Sequence, residues 1–313
     1  MAFIHTCLLL FSLMAFGACF PATCPSIEDL SPCTCKRIGL GLRVMCSDFN
    51  DHAQLIKVFK ILRDYRVQIV ILHDLSIKDV LPNTLFDDLQ INELRVESCE
   101  LKFSGAAFTG LDESLSVLNV AQQTVIESSE GFSLAKLSKL NELNVKANSL
   151  TKVNDDWLNG KTPNVHTIVL EENEISSVGS HAFAHLDQLK IISLADNRIK
   201  KVERSMFPRP ASNLKRIDLS NNEISQLPED IFLEMPNLNE VALSGNDLRT
   251  LERNVWMPIW SQLTKVYLVD NKMNCDSEMN WIRGYRQPSR LVGNCVEPRE
   301  LRGRPIKDVY SPT

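Results

Sequence analysis

Nine cysteines, a His181-x-x-x-His185 pair and two acidic pairs are the residues of this 313-residue chain whose types and spacing could do chemistry. Cysteines hold zinc or close disulfides. Cys24, Cys33, Cys35 and Cys46 cluster near the N-terminus, Cys275 and Cys295 near the C-terminus, and Cys7 and Cys19 lie in the first twenty residues. Cys99 stands alone between them. A zinc site fits poorly, because the spacing is C-x-C and His52 is the one nearby histidine. Clustering at the two ends reads instead as a pair of disulfide caps. His181 and His185 would share a helical face and could grip a metal, but no acidic or Cys third ligand is close in sequence, so a solvated surface is the stronger reading. Asp155-Asp156 and Glu171-Glu172 offer a calcium contact at most and read as a solvated face. The chain has no G-x-S-x-G, no G-x-x-x-x-G-K and no H-E-x-x-H. We therefore expect no catalytic residue, no metal and no cofactor, and a protein that is not an enzyme.

What positions these residues is a repeat. From residue 67 to residue 273 the pattern L-x-x-L-x-L-x-x-N-x-L recurs in nine frames, 24 or 25 residues apart, starting at Val67, Ile91, Leu115, Leu140, Val165, Leu189, Leu214, Leu238 and Leu263. The ninth positions read Leu75, Cys99, Gln123, Asn148, Asn173, Asn197, Asn222, Asn246 and Asn271. Self-similarity of this length and motif is the signature of a leucine-rich repeat solenoid. The expected fold is α/β: a curved parallel sheet on the concave side, short helices or turns on the convex side, and a cap at each end. Such a repeat cannot bury its core alone, so stacking and caps are required.

Within each frame the fourth and sixth residues point to one side of the strand and the third, fifth and seventh to the other. The inward set is apolar in every copy. The outward set includes Val117 and Asn119, Glu142 and Asn144, Thr167 and Val169, Ile191 and Ser193, then Arg216 and Asp218. An apolar centre at Val117, Val169 and Ile191 between charged flanks is the arrangement of a protein-binding surface, so these ten residues are the expected partner contacts. The same aliphatics would also suit simple packing along the sheet. The amides of Asn148, Asn173, Asn197, Asn222, Asn246 and Asn271 fall where the chain leaves the strand and can satisfy backbone groups of neighbouring turns, so they read as a structural ladder. Cys99 shares that column and reads as a small buried filler.

Large apolar residues follow the first eight motifs, Phe86, Phe108, Phe132, Trp157, Phe183, Phe207, Phe232 and Trp256, and mark the convex return. Pro82, Pro163, Pro208, Pro210, Pro228, Pro236 and Pro258 fall in the same segments, which excludes strand interiors there. At the N-terminus the run Cys7 to Phe16 is apolar but about half the length a membrane span needs, and Ala15-Phe-Gly-Ala-Cys19 follows it. This reads as a secretory signal peptide, residues 1–19, although the run carries only His5 ahead of it. The remaining divisions are an N-terminal Cys-rich cap at 20–66, repeats at 67–273 and a C-terminal cap at 274–313. With 44% hydrophobic and 23% charged residues and a net charge of −5, the chain is ordered and lacks a basic stripe. We expect a secreted, extracellular protein whose partner is another protein, with no nucleic-acid partner and no membrane span. No N-x-[ST] sequon occurs.

Cys24-x8-Cys33-x-Cys35-x10-Cys46 resembles the N-terminal cap of leucine-rich repeat proteins, a resemblance that implies the crossed pairing Cys24–Cys35 and Cys33–Cys46. Asn274-Cys-Asp-Ser277, Trp281 and the stretch from Cys295 to Val309 resemble the C-terminal cap of secreted and receptor members. That cap normally carries four cysteines. Here Ser277 stands where the second is expected and the fourth is missing, which implies a single bridge, Cys275–Cys295. The cap sequence Cys24-Pro-Ser-Ile-Glu-Asp-Leu-Ser-Pro-Cys-Thr-Cys35, followed by Gln54-Leu-Ile-Lys-Val-Phe59, is similar to arthropod secreted proteins grouped with the non-catalytic subunit of Oplophorus luciferin monooxygenase. That likeness implies a subunit that accompanies a catalyst without being one. The fold also serves innate-immune recognition of microbial ligands and small leucine-rich proteoglycans of the extracellular matrix, which stand as alternatives; for the latter, Ser104-Gly105 and Ser244-Gly245 are the available attachment dipeptides.

Overall fold

The computed structural model describes residues 23–49, 51–128, 134, 136–158 and 164–311. The signal peptide expected over residues 1–19 lies outside them, as do Phe132 and Pro163. Twelve strands form one sheet: Thr34–Ile38, Gly41–Cys46, Val67–His73, Glu93–Glu97, Val117–Ala121, Glu142–Lys146, Thr167–Val169, Ile191–Ser193, Arg216–Asp218, Glu240–Ala242, Lys265–Tyr267 and Arg290–Val292. Their order in space is their order in sequence. The first two form an antiparallel hairpin, and each later strand adds parallel to the one before. At about 4.8 Å per step the sheet runs roughly 50 Å. It extends past the nine frames at both ends, because the N-terminal hairpin pairs with Val67–His73 and Arg290–Val292 pairs with Lys265–Tyr267.

The repeat period explains the core. Leu189, Ile192 and Leu194 are all buried, and their equivalents in neighbouring frames stack on them to make one hydrophobic cluster from Leu30 to Tyr310. Truncating one such Leu to Ala costs about 2–5 kcal/mol, since a filled solenoid has no slack to collapse into the cavity. Phe86, Phe108, Trp157, Phe183, Phe207, Phe232 and Trp256 close the core from the convex side, all of them buried. The convex return itself changes character along the chain. In the first three frames it is a second parallel sheet of Ser76–Leu81, Glu100–Phe103 and Val125–Ser128. Further on come the short pair Lys152–Val153 with Ser177–Val178 and then turns and short helices such as Arg204–Met206 and Arg253–Trp256.

Where each strand ends, the chain turns through a left-handed residue at the eighth position of the frame: Asp74, Ser98, Ala147, Glu172, Asp196, Asn221, Gly245 and Asp270. Only one is glycine. Asp and Asn tolerate this region best, whereas Ala and Glu are held there at roughly 1 kcal/mol of strain by the pairing on either side. The next residue carries the amide ladder. Asn197 is typical: its Nδ2 donates to Leu170 O at 2.9 Å in the preceding repeat and to Leu194 O and Ala195 O in its own, while its Oδ1 accepts from Ile175 N at 2.9 Å. Asn173, Asn222, Asn246 and Asn271 repeat this geometry and are buried. Asn148, half-buried, opens the series by donating to Val120 O and accepting from Thr124 N.

The third frame departs from the expected register. Gln123 does not occupy the ladder; it is exposed, with Gln122 and Gln123 both left-handed. Thr124 takes the position, donating from Oγ1 to Ala121 O and accepting from Cys99 N. The frame has one extra residue in its turn, so the ninth letter of the motif misses the ninth structural site. Cys99 fills its own rung as a free buried thiol.

Both ends are tied by disulfides: Cys24–Cys35, Cys33–Cys46 and Cys275–Cys295. At the N-terminal end the helix His52–Leu62 turns Leu55, Val58, Phe59 and Leu62 onto the first repeats, and Asp51 caps it by accepting from Ala53 N. At the other end Tyr310 is buried and donates its hydroxyl hydrogen to Asp276 O at 2.7 Å, fastening the last helix, Ile306–Val309, to the start of the cap.

Candidate binding face

The parallel register sets two rows of side chains side by side on the concave surface. The third-position row runs Ile69, Glu93, Val117, Glu142, Thr167, Ile191, Arg216, Glu240, Lys265, Arg290. The fifth-position row runs Ile71, Arg95, Asn119, Asn144, Val169, Ser193, Asp218, Ala242, Tyr267, Val292. All ten residues expected from the sequence as partner contacts lie on these rows. They are not equally available. Ile191 is 37% exposed and Glu142 is exposed, whereas Val117, Asn119, Asn144, Thr167, Val169 and Arg216 are half-buried. Ser193 and Asp218 are 4% and 8% exposed, so they sit on the face but are covered by their neighbours.

Electrostatics explains the covering. Ser193 donates to Glu171 Oε1 at 2.8 Å, and Lys146 Nζ reaches Glu171 at 3.0 Å and Glu172 at 2.9 Å. Hydrogen bonds donated by the Lys146 ammonium to Glu172 and Glu171 hold it above its ordinary pKa. Arg216 bonds Asp218 at 2.8 Å and lies 3.4 Å from Glu240, which Lys265 reaches at 2.8 Å. Burial works against the Arg216 charge, but its bond to Asp218 and the nearby Glu240 outweigh that and raise its pKa. Arg290 lies over the Tyr267 ring at 5.3 Å. Arg95 bonds Glu93 at 2.5 Å. Most charges on the face are thus satisfied within the chain. Asn119 and Asn144, partners in register, each bury an Oδ1 with no hydrogen-bond partner among the described residues.

The arrangement offers binding area and fixed charge. His181 lies in a turn beside Ser180 and Asp155, and His185 Nε2 bonds Leu158 O, so the two imidazoles are engaged separately. No cluster of three metal-type ligands occurs among the described residues. Burial pushes the Cys99 thiol up to about 11, well outside nucleophilic range at neutral pH. Sequence reasoning places Glu171 on the charged flank of the face but misses Glu240 as one of its organisers. Their seventh and third positions in the frame put them on the outward side, and for Glu240 this was the available signal.

Leucine-rich repeat family models match residues 138–199, 163–211, 187–248 and 212–273. Among solved structures, a chain of the octameric complex of Latrophilin 3 (Lec, Olf), Unc5D (Ig, Ig2, TSP1) and FLRT2 (LRR) superposes with a TM-score of 0.59 at 18% identity, covering 80% of this chain and 83% of that one. The TLR13–ssRNA13 complex gives 0.60 at 18% identity over 74% of this chain and 32% of that one, so this chain spans about a third of its length. No curated protein matches the chain. The fold is a leucine-rich repeat solenoid with disulfide-bonded cysteines near both ends. No helix among the described residues is long and apolar enough to cross a membrane.

Proposed function

We propose that this protein is a secreted, non-enzymatic scaffold that holds a protein partner on its concave face, as the non-catalytic member of an extracellular complex. The observation that carries this reading is the aliphatic centre of the sheet: Val117, Val169 and Ile191 stand on a rigid parallel ladder, beside Glu171, Arg216 and Asp218, whose charges are already paired within the chain. A preformed surface loses little freedom on binding, so apolar contact there converts efficiently into affinity. Disulfides support an oxidising, extracellular setting. The likeness of the N-terminal cap to the Oplophorus subunit group supports the accompanying role. The FLRT2-containing complex is one assembly in which a leucine-rich repeat chain of this fold meets other proteins.

The test is recovery of the native partner from the source fluid by tagged wild type and by Val169→Glu and Ile191→Lys. Both variants keep inward core positions untouched and should fold and be secreted. Loss of the partner from both supports the concave site. Undiminished recovery moves it to the convex face or a cap.

A further inference from the structure

Four acidic side chains on the sheet between Glu93 and Lys265 have a cation from this chain: Glu93 with Arg95, Glu171 with Lys146, Asp218 with Arg216, and Glu240 with Arg216 and Lys265, while Glu97 lies 3.8 Å from the His73 imidazole. Glu142 has no such cation among the described residues. It is exposed at the middle of the third-position row, with Val117 and Thr167 as its register neighbours and Ile191 one strand further on. Lys146, four residues along the same strand, is committed to Glu171 and Glu172.

From this imbalance we infer that the segment occupying the concave centre is a polypeptide carrying a Lys or Arg beside an aliphatic side chain, with the cation on Glu142 and the aliphatic group on Val169 and Ile191. The inference rests on the concave reading above and adds the chemistry of the occupant. Its physical basis is that a partner seated on Val117, Val169 and Ile191 strips water from Glu142, and a desolvated carboxylate without a counter-charge opposes binding. An acidic occupant would bring a second carboxylate against Glu142, while Lys146, Arg216 and Lys265 on the same face are already engaged. Steering follows the same sign: a basic segment approaches a local negative centre faster than a neutral one.

The probe is a phage-displayed random dodecapeptide library selected on the immobilised full-length chain, with the enriched sequences remade as synthetic peptides. Enrichment of Lys or Arg within two residues of Val, Ile or Leu is expected. Those peptides should bind Glu142→Gln about tenfold more weakly than wild type, keep binding to Glu142→Asp, and lose affinity as salt is raised. Glu142 is exposed and outside the core, so an unchanged melting temperature certifies the variants. Peptides that bind Glu142→Gln as tightly as wild type, enrichment of acidic sequences, or a selection yielding nothing dependent on Glu142 would overturn the inference. Val169→Glu separates the two levels: peptides lost with Val169→Glu but kept with Glu142→Gln leave the concave site standing and remove its basic ligand. Peptides indifferent to both remove the concave site itself.

Discussion

Asn222 donates its amide hydrogen to the Leu194 carbonyl oxygen at 2.9 Å across the step between two repeats, from a side chain that is buried. Its Oδ1 accepts from Ile199 N at 2.9 Å, so a single side chain satisfies groups that the turn would otherwise orphan. Removing it leaves those groups buried and unpaired, at about 1–3 kcal/mol. Asn222→Ala and Asn197→Ala should each lower stability by that amount in a denaturant titration, with the fold retained at permissive temperature. Wild-type midpoints for both would contradict the ladder.

Thr124 and Gln123 provide a sharper test of register. Thr124→Val keeps the shape but loses the bonds to Ala121 O and Cys99 N, and should cost about 1 kcal/mol. Gln123→Ala, at an exposed turn, should stay within about 0.5 kcal/mol of wild type. The reverse order would place Gln123 on the rung after all.

Cys99 supplies a pH dependence with a definite sign. Burial raises its folded pKa from 9.0 to about 11, so the folded state holds the proton that the unfolded state releases. Its contribution is fully present below pH 9 and is lost as pH rises through about 11. Stability measured between those values should fall less steeply in Cys99→Ala than in wild type. At pH 8 the native thiol should resist iodoacetamide and react on unfolding.

The terminal bridge Cys275–Cys295 closes a loop with a sequence separation of 20. A double substitution Cys275→Ser, Cys295→Ser should cost roughly 3 kcal/mol, read as a lower midpoint and as faster proteolysis after residue 275. Unchanged proteolysis would show that Tyr310 and its bond to Asp276 hold the cap without the bridge.

Much of this was legible in the sequence because the period is dictated by strand geometry. Leucines at the first, fourth and sixth positions can only stack inward, and six asparagines in one column require a common buried role. The third frame was misread at Gln123 because an inserted turn residue leaves the hydrophobic pattern intact while shifting the rung by one. Ser193 and Asp218 read as open face, yet Glu171 and Arg216 fold over them, and such side-chain pairing between repeats leaves no mark in a single frame. The convex sheet over Ser76–Leu81, Glu100–Phe103 and Val125–Ser128 was likewise hidden, since segments of four to six residues carry too little periodicity to separate strand from turn.

The most direct test of the concave site is photo-crosslinking with benzoylphenylalanine placed at Thr167 on the sheet or at Glu229 on the convex side, carried out in the source fluid. The account predicts one discrete, saturable adduct from position 167, abolished when Ile191→Lys is added, and none from position 229. A discrete adduct from position 229 that survives Ile191→Lys, with nothing from position 167, would contradict it.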